Sequence, residues 1–571
     1  MTASTAAYLP ADLDPMQFDQ LQPLYQELVD RPINSPAELE RWLLDYSALS
    51  AVVSECGARC SIDKSCHTDD AEIEKRYLHF VENVAPKIKP FGFALEKKYL
   101  ASPHRQALPD EKYHVMAREW REEVELFRQE NIPLQTRITK LASEYDKVMG
   151  AMLVEFAGKE HTLQQLARFS EEPQRATRQA AWEAAEARRA QDRQKIDGLF
   201  DQMLALRNDV AGNADCADYR AYIWKSNCRF DYTPQDCHDF ADAIEATCLP
   251  LVEKLNRRRQ ADLGVATLRP WDLAVDPRNR PPLKPFAPEA IDRFLAGTAQ
   301  VFERISPVLG QRFRELEPGR NLDLDSRKGK RPGGYQASLA VARQPFIFMN
   351  AAGLHRDVET LLHEGGHAFH YQAARQEPLL FVQHAPLEFC EVASMSMELL
   401  GDAHMDVFYD PADAARAVRS HLEGIIRFFP WMATIDQFQH WLYTHSGHNS
   451  SDRQKAWLEI YGRFSSKLVD WSGYESERQW FWQRQIHLFH HPFYYVEYGI
   501  AQLGALQVWL NYQLDAQRSL QDLLDAFALG GARRLPELFQ TAGIRLDFSR
   551  ETLVPLMQRL GEELERLPDG K

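Results

Sequence analysis

The chain has few cysteines, no excess of positive charge and no long uninterrupted apolar run. Eight cysteines in 571 residues are too few for a disulfide-stabilised scaffold, so we expect a reducing, cytoplasmic location. Lysine and arginine number 67 against 82 aspartate and glutamate residues, which gives a net charge of −15. That balance disfavours nucleic acid and anionic membranes as partners, and we expect neither.

The segments that could direct the chain to a membrane do not have the pattern that this requires. Residues 1–14 contain no basic residue and are interrupted by Pro10, Asp12 and Asp14, so we expect no signal peptide. The most apolar stretch, residues 492–510, contains one glutamate and two glutamines. A membrane span of that length should be nearly free of such groups, so this stretch predicts a buried helix.

What is present indicates a large, mainly helical globular protein. A chain of 571 residues is too long for one hydrophobic core, so we expect at least two sub-domains. Residues 117–153 and 174–210 are rich in Ala, Glu, Arg, Gln and Leu, which are good helix formers. Strand-like runs are few, and the clearest is the short aromatic and β-branched segment 345–350.

His363, Glu364 and His367 form an HExxH motif. Residues four apart on a helix project from the same face, so the two imidazoles can converge on one metal ion. Gly365 and Gly366 each cost a helix about 1 kcal/mol relative to alanine. That cost is tolerable where another backbone or a ligand approaches closely. Since the two histidines can converge on one ion, the motif as a whole favours a zinc site.

A catalytic zinc ion needs a third protein ligand and one open position. The segment 387–400 is a second helix candidate, and Glu388, Glu391 and Glu398 share one of its faces. Carboxylates on an otherwise apolar helix are costly unless a charge partner satisfies them, and a zinc ion would do so. Spacing alone does not choose between Glu388 and Glu391 as the ligand.

Several ordered motifs resemble the M3 family of zinc metallopeptidases, specifically its oligoendopeptidase F branch. The run HEGGHAFH is followed by EVASMSME, with GKRPGGY and PFIFMN upstream and HLFHHPFYYVEYGIAQLGALQVW downstream. The resemblance covers roughly residues 320–510. It implies that one Zn²⁺ ion is bound by His363, His367 and Glu391, and that Glu364 is the general base.

The same resemblance implies further catalytic and substrate-binding residues. His487 and the tyrosines at 494, 495 and 498 match a segment that faces the metal in the family. We expect His487, Tyr498 and then Tyr495 to take part in catalysis, and Tyr494 to contact substrate. The family commonly has an acidic residue where His490 stands and a bulkier residue at Gly365, and both departures could alter substrate preference.

A peptide substrate can hydrogen-bond to an exposed strand edge whatever its side chains. Segment 345–350 is the candidate strand nearest the HExxH motif, so we expect it to offer such an edge. We expect Gly333 and Gly334 to form a loop that closes on the ligand. Tyr335 and Phe348 are the further candidate substrate contacts.

The resemblance implies a two-lobed, mainly α metallopeptidase with a deep substrate channel and a small β-sheet near the HExxH helix. We expect an N-terminal helical domain over residues 1–200 and a catalytic domain over residues 201–571, with the two lobes interleaved. The implied activity is zinc-dependent cleavage of internal bonds in short, unstructured peptides. A metallocarboxypeptidase of similar fold and a non-catalytic peptide-binding protein are the alternatives.

Overall fold

The computed structural model describes residues 8–317, 320–331 and 333–568. The predicted mainly α fold is confirmed. The first helices are α1 (Phe18–Asp30), α2 (Pro36–Cys66), α3 (Ala71–His79), α4 (Ala85–Ala101), α5 (Asp110–Leu126), α6 (Asn131–Gly150), α7 (Leu163–Ala167), α8 (Arg175–Asn213), α9 (Tyr219–Ser226), α10 (Pro234–Leu263), α11 (Ile291–Ile305) and α12 (Pro307–Arg314). They are followed by α13 (His355–Ala374), α14 (Leu387–Gly401), α15 (Pro411–Thr444), α16 (Ser450–Phe464), α17 (Glu475–Gln479), α18 (His487–His490), α19 (Tyr495–Leu514), α20 (Ala516–Ala528), α21 (Leu535–Thr541) and α22 (Arg550–Arg566).

Polar residues determine where several of these helices begin. Ser35 accepts a hydrogen bond from the backbone N–H of Glu38, and Thr233 forms a reciprocal capping pair with Asp236. Asp410 accepts from two backbone N–H groups at the start of α15. A proline follows each of these caps, where its missing N–H costs nothing because the first helical N–H groups have no partner in the helix.

The interior is divided into separate hydrophobic clusters. One cluster contains residues of α1, α2, α4 and α5, joined by Leu379 and Val382 from a later part of the chain. A much larger cluster extends from Leu126 to Leu564. Helices α1, α2, α4 and α5 therefore share a core of their own. The division of the chain at residue 200 stays a prediction, and α8 runs through that residue.

The strands are β1 (Leu153–Phe156), β2 (Lys159–Thr162), β3 (Leu322–Asp325), β4 (Gly334–Leu339) and β5 (Gln344–Ala351). β1 and β2 form a hairpin, whereas the other three form a sheet in the order β3-β5-β4. β3 is parallel to β5, and β4 is antiparallel to it. The small sheet predicted near the HExxH helix is therefore present, since β4 and β5 both contact α13.

The predicted exposed edge at residues 345–350 is wrong. These residues lie in β5, which is hydrogen-bonded on both sides, and the outer strands of this sheet are β3 and β4. β5 is almost entirely buried, which explains why its sequence is a continuous apolar run rather than an alternating one. Phe348 is 0% exposed and offers no surface to a peptide, so its predicted contact with substrate is also wrong.

The apolar stretch 492–510 forms most of α19 and is buried, as predicted. Its acidic residue Glu497 is paired with Arg229 at 2.6 Å, and both side chains are buried. The positive charge of Arg229 compensates the buried negative charge of Glu497, the residue that makes a membrane span unfavourable here. Among the helices of the described residues, none combines the length and apolar character needed to cross a membrane.

Candidate metal centre and active site

The HExxH motif lies on α13, directly after the small sheet. The carboxylate of Asp357 accepts hydrogen bonds from the backbone N–H groups of Ala352 and Leu354, each at 2.8 Å. An acceptor at this place satisfies donors that the helix itself leaves unpaired and fixes the helix start after β5. The rings of His363 and His367 then lie on one face of α13, with their centres 4.8 Å apart.

The third donor comes from α14. Oε2 of Glu391 lies 3.3 Å from Nε2 of His363 and 3.6 Å from Nε2 of His367. One ligand atom from each of these three residues lies within 4.8 Å of the other two. The structure therefore brings the three predicted metal ligands together.

Glycine in the motif permits this approach. A Cβ on Gly366 would lie 2.5 Å from the Cα of Ser394 in α14, closer than real Cβ contacts allow. A Cβ on Gly365 would lie 2.5 Å from the ring of Phe302 in α11. Gly366 thus allows α13 to pack directly against the backbone of α14, which carries Glu391, while Gly365 leaves room for the ring of Phe302 from α11.

Glu388 does not join the histidines, which resolves the alternative that spacing left open. Its Oε1 accepts a hydrogen bond of 2.6 Å from the hydroxyl of Tyr232. Nearby, Arg229 donates to both Glu497 and the carbonyl of Phe493 at 2.6 Å. Glu388 is therefore part of a buried network behind the metal ligands rather than a ligand itself.

Glu398 and His421 hold the first histidine in place. Nδ1 of His363 lies 2.6 Å from Oε1 of Glu398, whose other oxygen lies 3.4 Å from Nε2 of His421. Nδ1 of His421 lies 2.8 Å from Asp402. An acceptor at Nδ1 leaves Nε2 of His363 directed toward Glu391, as a metal-ligating histidine requires. The sequence places Glu398 on the correct face of α14, but nothing in it indicates that His421 of α15 reaches this point.

The charges at the centre suit a cation. Burial opposes the charge of Glu391, but the adjacent His367 and His363 lower its pKa to about 2. Burial lowers the pKa of His367 to about 4, so this imidazole is neutral and free to ligate near pH 7. Two imidazoles and one carboxylate are a donor set that zinc accepts, with room for one further ligand. The residues present therefore fit a zinc ion.

Glu364 lies beside these donors without being one of them. Its side chain is buried, and burial raises the pKa of its carboxyl to about 7, with a further contribution from the charge of Glu391. The backbone of Gln336 in β4 hydrogen-bonds to it. A carboxylate with a pKa near 7 can both accept and release a proton at neutral pH.

Two of the tyrosines approach the centre. The hydroxyl of Tyr494 donates to Oε1 of Glu391 at 3.2 Å. The ring of Tyr498 lies 5.1 Å from that of Tyr494, and burial and the charge of Glu391 raise the pKa of both hydroxyls. The ring of Tyr495 packs against Phe428 and also lies 4.9 Å from that of His487. No contact with the metal ligands supports its catalytic role, which stays a prediction.

His487 lies beside the same tyrosines, with its ring stacked 6.1 Å from that of Tyr494. Nε2 of Gln485 lies 2.7 Å from Nδ1 of His487. Since an amide nitrogen only donates, Nδ1 is the acceptor and the ring proton is on Nε2. Burial lowers the pKa of His487 to about 4, with smaller effects from two neighbouring histidines. The neutral ring therefore has one N–H available to a ligand.

The predicted glycine loop has a different form. Gly333 has a φ of +96°, which favours glycine, but Gly334 is the first residue of β4 and pairs with Met349. Tyr335 stacks on Phe348 with ring centres 5.0 Å apart and packs toward the apolar cluster that contains Ile62 of α2. Closure of this segment on a ligand stays a prediction.

A helical fold in which HExxH and a carboxylate from the next helix converge defines the class of helical metallopeptidases. Comparison with family models makes this specific. Peptidase family M3 matches residues 168–556, and the peptidase M3 N-terminal domain matches residues 11–127. The chain belongs to peptidase family M3.

Relatives support the same family and its oligoendopeptidase F branch. Oligopeptidase PepF of Bacillus subtilis is 22% identical over 339 residues, which cover 59% of this chain and 49% of that protein. Oligoendopeptidase F of Lactococcus lactis subsp. cremoris is 21% identical over 341 residues, 59% of this chain and 56% of that protein. The chain thus spans about half the length of these curated relatives.

Solved structures match over nearly the whole chain. PZ peptidase A with an inhibitor has a TM-score of 0.91 at 26% identity, covering 99% of this chain and 100% of that one. A protein provisionally named oligoendopeptidase F has a TM-score of 0.90 at 28% identity, covering 99% of both chains. The resemblance noted from the sequence motifs is therefore confirmed.

Proposed function

We propose that this protein is a zinc-dependent endopeptidase that cleaves internal bonds of short, unstructured peptides. The observation that carries the proposal is the convergence of His363, His367 and Glu391, with Glu364 beside them. We propose that these three residues hold one Zn²⁺ ion. We also propose a cytoplasmic location, which the eight free thiols favour.

The chemistry divides between the ion and the chain. When bound, zinc would lower the pKa of a water molecule and polarise the scissile carbonyl. Glu364 accepts the proton of the attacking water on a carboxylate oxygen and later delivers it to the nitrogen of the leaving amine. Its burial supports this role, because a proton shuttled in a site shielded from bulk water is not lost to solvent.

Hydrogen-bond donors on the chain stabilise the negative charge that develops on the carbonyl oxygen. The hydroxyls of Tyr494 and Tyr498 and the Nε2–H of His487 are the candidates, because Tyr494 donates to Glu391 and the rings of Tyr498 and His487 lie 5.1 and 6.1 Å from its ring. A neutral imidazole and un-ionised phenols can donate such bonds. Removing one donor of this kind typically costs about 3–4 kcal/mol of transition-state stabilisation.

The free edge of β4 supports an extended mode of peptide binding. β4 is half-exposed along most of its length and reaches Glu364 through Gln336. Backbone pairing with this edge would align a peptide beside the general base without selecting its side chains. Replacing one non-scissile peptide bond of a substrate by an ester, which removes a donor, should then lower kcat/KM for substrates of unrelated sequence.

A quenched fluorescent peptide blocked at both ends tests the activity. Internal cleavage that stops with a chelator and returns with Zn²⁺ supports the proposal. Cleavage seen only with a free C-terminus would favour a metallocarboxypeptidase. Peptide binding without any chelator-sensitive cleavage would favour a non-catalytic binding protein, although such a protein has no need of Glu364.

A further inference from the structure

A second cluster of metal-ligating side chains lies away from the HExxH helix. Cys237 is in the first turn of α10, and Asp436 and His440 lie one turn apart on α15. One ligand atom from each residue lies within 4.8 Å of the other two. Nε2 of His440 is 3.3 Å from Oδ2 of Asp436. None of these residues belongs to the proposed catalytic centre.

All three side chains are withdrawn from solvent, with exposed fractions of 3%, 1% and 2% for Cys237, Asp436 and His440. In the described part of the chain, Oδ1 of Asp436 and Nε2 of His440 are buried without a hydrogen-bond partner. Leaving a buried polar group unpaired costs about 1–3 kcal/mol, and more for a charged group. Two such atoms close to one buried thiol leave polar groups that a ligand between the three side chains would satisfy.

We infer that Cys237, Asp436 and His440 form a second metal site, which takes one divalent ion of borderline softness such as Zn²⁺. A thiolate and a carboxylate supply two negative charges, so they neutralise a divalent ion in this dry interior, and the imidazole adds a neutral donor. The thiol proton is released to solvent when the ion binds. The ring of His238, centred 4.5 Å from that of His440, stands beside the cluster as a candidate fourth donor.

Two other interpretations of the cluster fit less well. A Cys–His–Asp arrangement also occurs in nucleophilic catalysis, but a thiol that is 3% exposed is not accessible to a substrate. A simple His–Asp hydrogen bond would leave Oδ1 of Asp436 and the thiol unexplained. Nη1 of Arg220 lies 3.4 Å from Nδ1 of His440. Because a guanidinium only donates, ligation through Nε2 requires Arg220 to turn away so that Nδ1 can carry the ring proton.

The position of the cluster suggests a structural role. Gln439, between the two α15 ligands, accepts a hydrogen bond of 2.5 Å from the backbone N–H of Phe493. Phe493 has a φ of +65°, an unusual value for a side chain of this size, and directly precedes Tyr494. An ion bound by α10 and α15 would hold α15 in place, and with it the hydrogen bond from Phe493 to Gln439 that fixes the turn before Tyr494.

Cobalt can distinguish the two centres, because sulfur ligation gives Co²⁺ an intense charge-transfer absorption in the near ultraviolet. The catalytic centre has no sulfur donor. We would remove metal from the full-length protein with a chelator and titrate it with Co²⁺ alone. We expect two Co²⁺ ions per chain and a sulfur-to-cobalt band. One ion per chain, or two ions without that band, would overturn the inference.

Variants assign the band to a residue. C237S should bind one Co²⁺ ion and lose the band, while peptide hydrolysis by its zinc form persists. C390S is the matched control, since this thiol neighbours Glu391 in sequence, and it should keep both ions and the band. The double variant H363A/H367A should lose hydrolysis but keep the band, which tests the site even if C237S does not fold. A band that persists in folded C237S would contradict the assignment.

Discussion

Removing the carboxylate that orients His363 should weaken zinc binding by a calculable amount. Glu398 accepts at 2.6 Å from Nδ1 of His363 and is itself held by His421. Loss of such an outer partner typically lowers metal affinity by about 10–100-fold, which corresponds to about 1.4–2.8 kcal/mol. Glu398→Gln keeps an acceptor oxygen but loses the charge, so we expect about 10-fold. Glu398→Ala loses both and should approach 100-fold.

The assay is a zinc competition titration against a chromophoric chelator of known affinity, read independently of hydrolysis. Glu388→Gln is the matched control, because it makes the same change on the same helix at a carboxylate that bonds to Tyr232 and not to a histidine. Its zinc affinity should stay within about twofold of the wild type. Equal zinc affinity of the wild type and Glu398→Ala would refute the positioning role.

Four further outcomes follow from the structure. Glu364→Gln should retain zinc and peptide binding while kcat falls by about 10²–10⁴-fold; equal turnover would exclude Glu364 as the base. Tyr494→Phe or Tyr498→Phe should each lower kcat by about 10²–10³-fold in steady-state kinetics. Tyr495→Phe should change kcat only a few-fold, because the ring of Tyr495 packs against Phe428. Gly366→Ala should lower the free energy of unfolding by about 1–3 kcal/mol, because the added Cβ clashes with Ser394. Gly198→Ala in α8 is the control, since its Cβ meets nothing within 4 Å, and it should raise the free energy of unfolding by up to about 1 kcal/mol. Asp272 is fully buried and bonded to Arg175 and Arg178. Burial raises the pKa of this carboxyl, but the hydrogen bonds from the arginines outweigh that effect and lower the pKa below 3.8, so the stability that Asp272 adds is present above that value and lost as the pH falls below it. Asp272→Asn should therefore cost about 3–5 kcal/mol of unfolding free energy at pH 7 and less in acid, as urea unfolding at several pH values will test.

Local chemistry could be predicted from the sequence because it depends on spacing along one helix. The separation of His363 and His367 defines a shared face. The two intervening glycines indicate close approaches, which the structure assigns to Phe302 of α11 for Gly365 and to the backbone of α14 for Gly366. The sequence of residues 492–510 also predicts a buried helix rather than a membrane span, because Glu497 is too polar for lipid, and the structure pairs this residue with Arg229.

Contacts between distant segments could not be predicted in this way. β5 was expected to have a free edge, but strand order depends on where β3 and β4 pack, which the β5 sequence does not encode. His421 and Tyr232 were missed because they reach the centre from remote elements. Tyr494 directly follows Phe493, whose positive φ is a backbone conformation that a phenylalanine gives no reason to expect.

Anomalous X-ray scattering at the zinc edge, from crystals of the enzyme that cleave peptide, tests the proposed catalytic centre most directly. We predict a peak about 2.0–2.2 Å from Nε2 of His363, Nε2 of His367 and an oxygen of Glu391. Active crystals with no anomalous peak between these three side chains would contradict it.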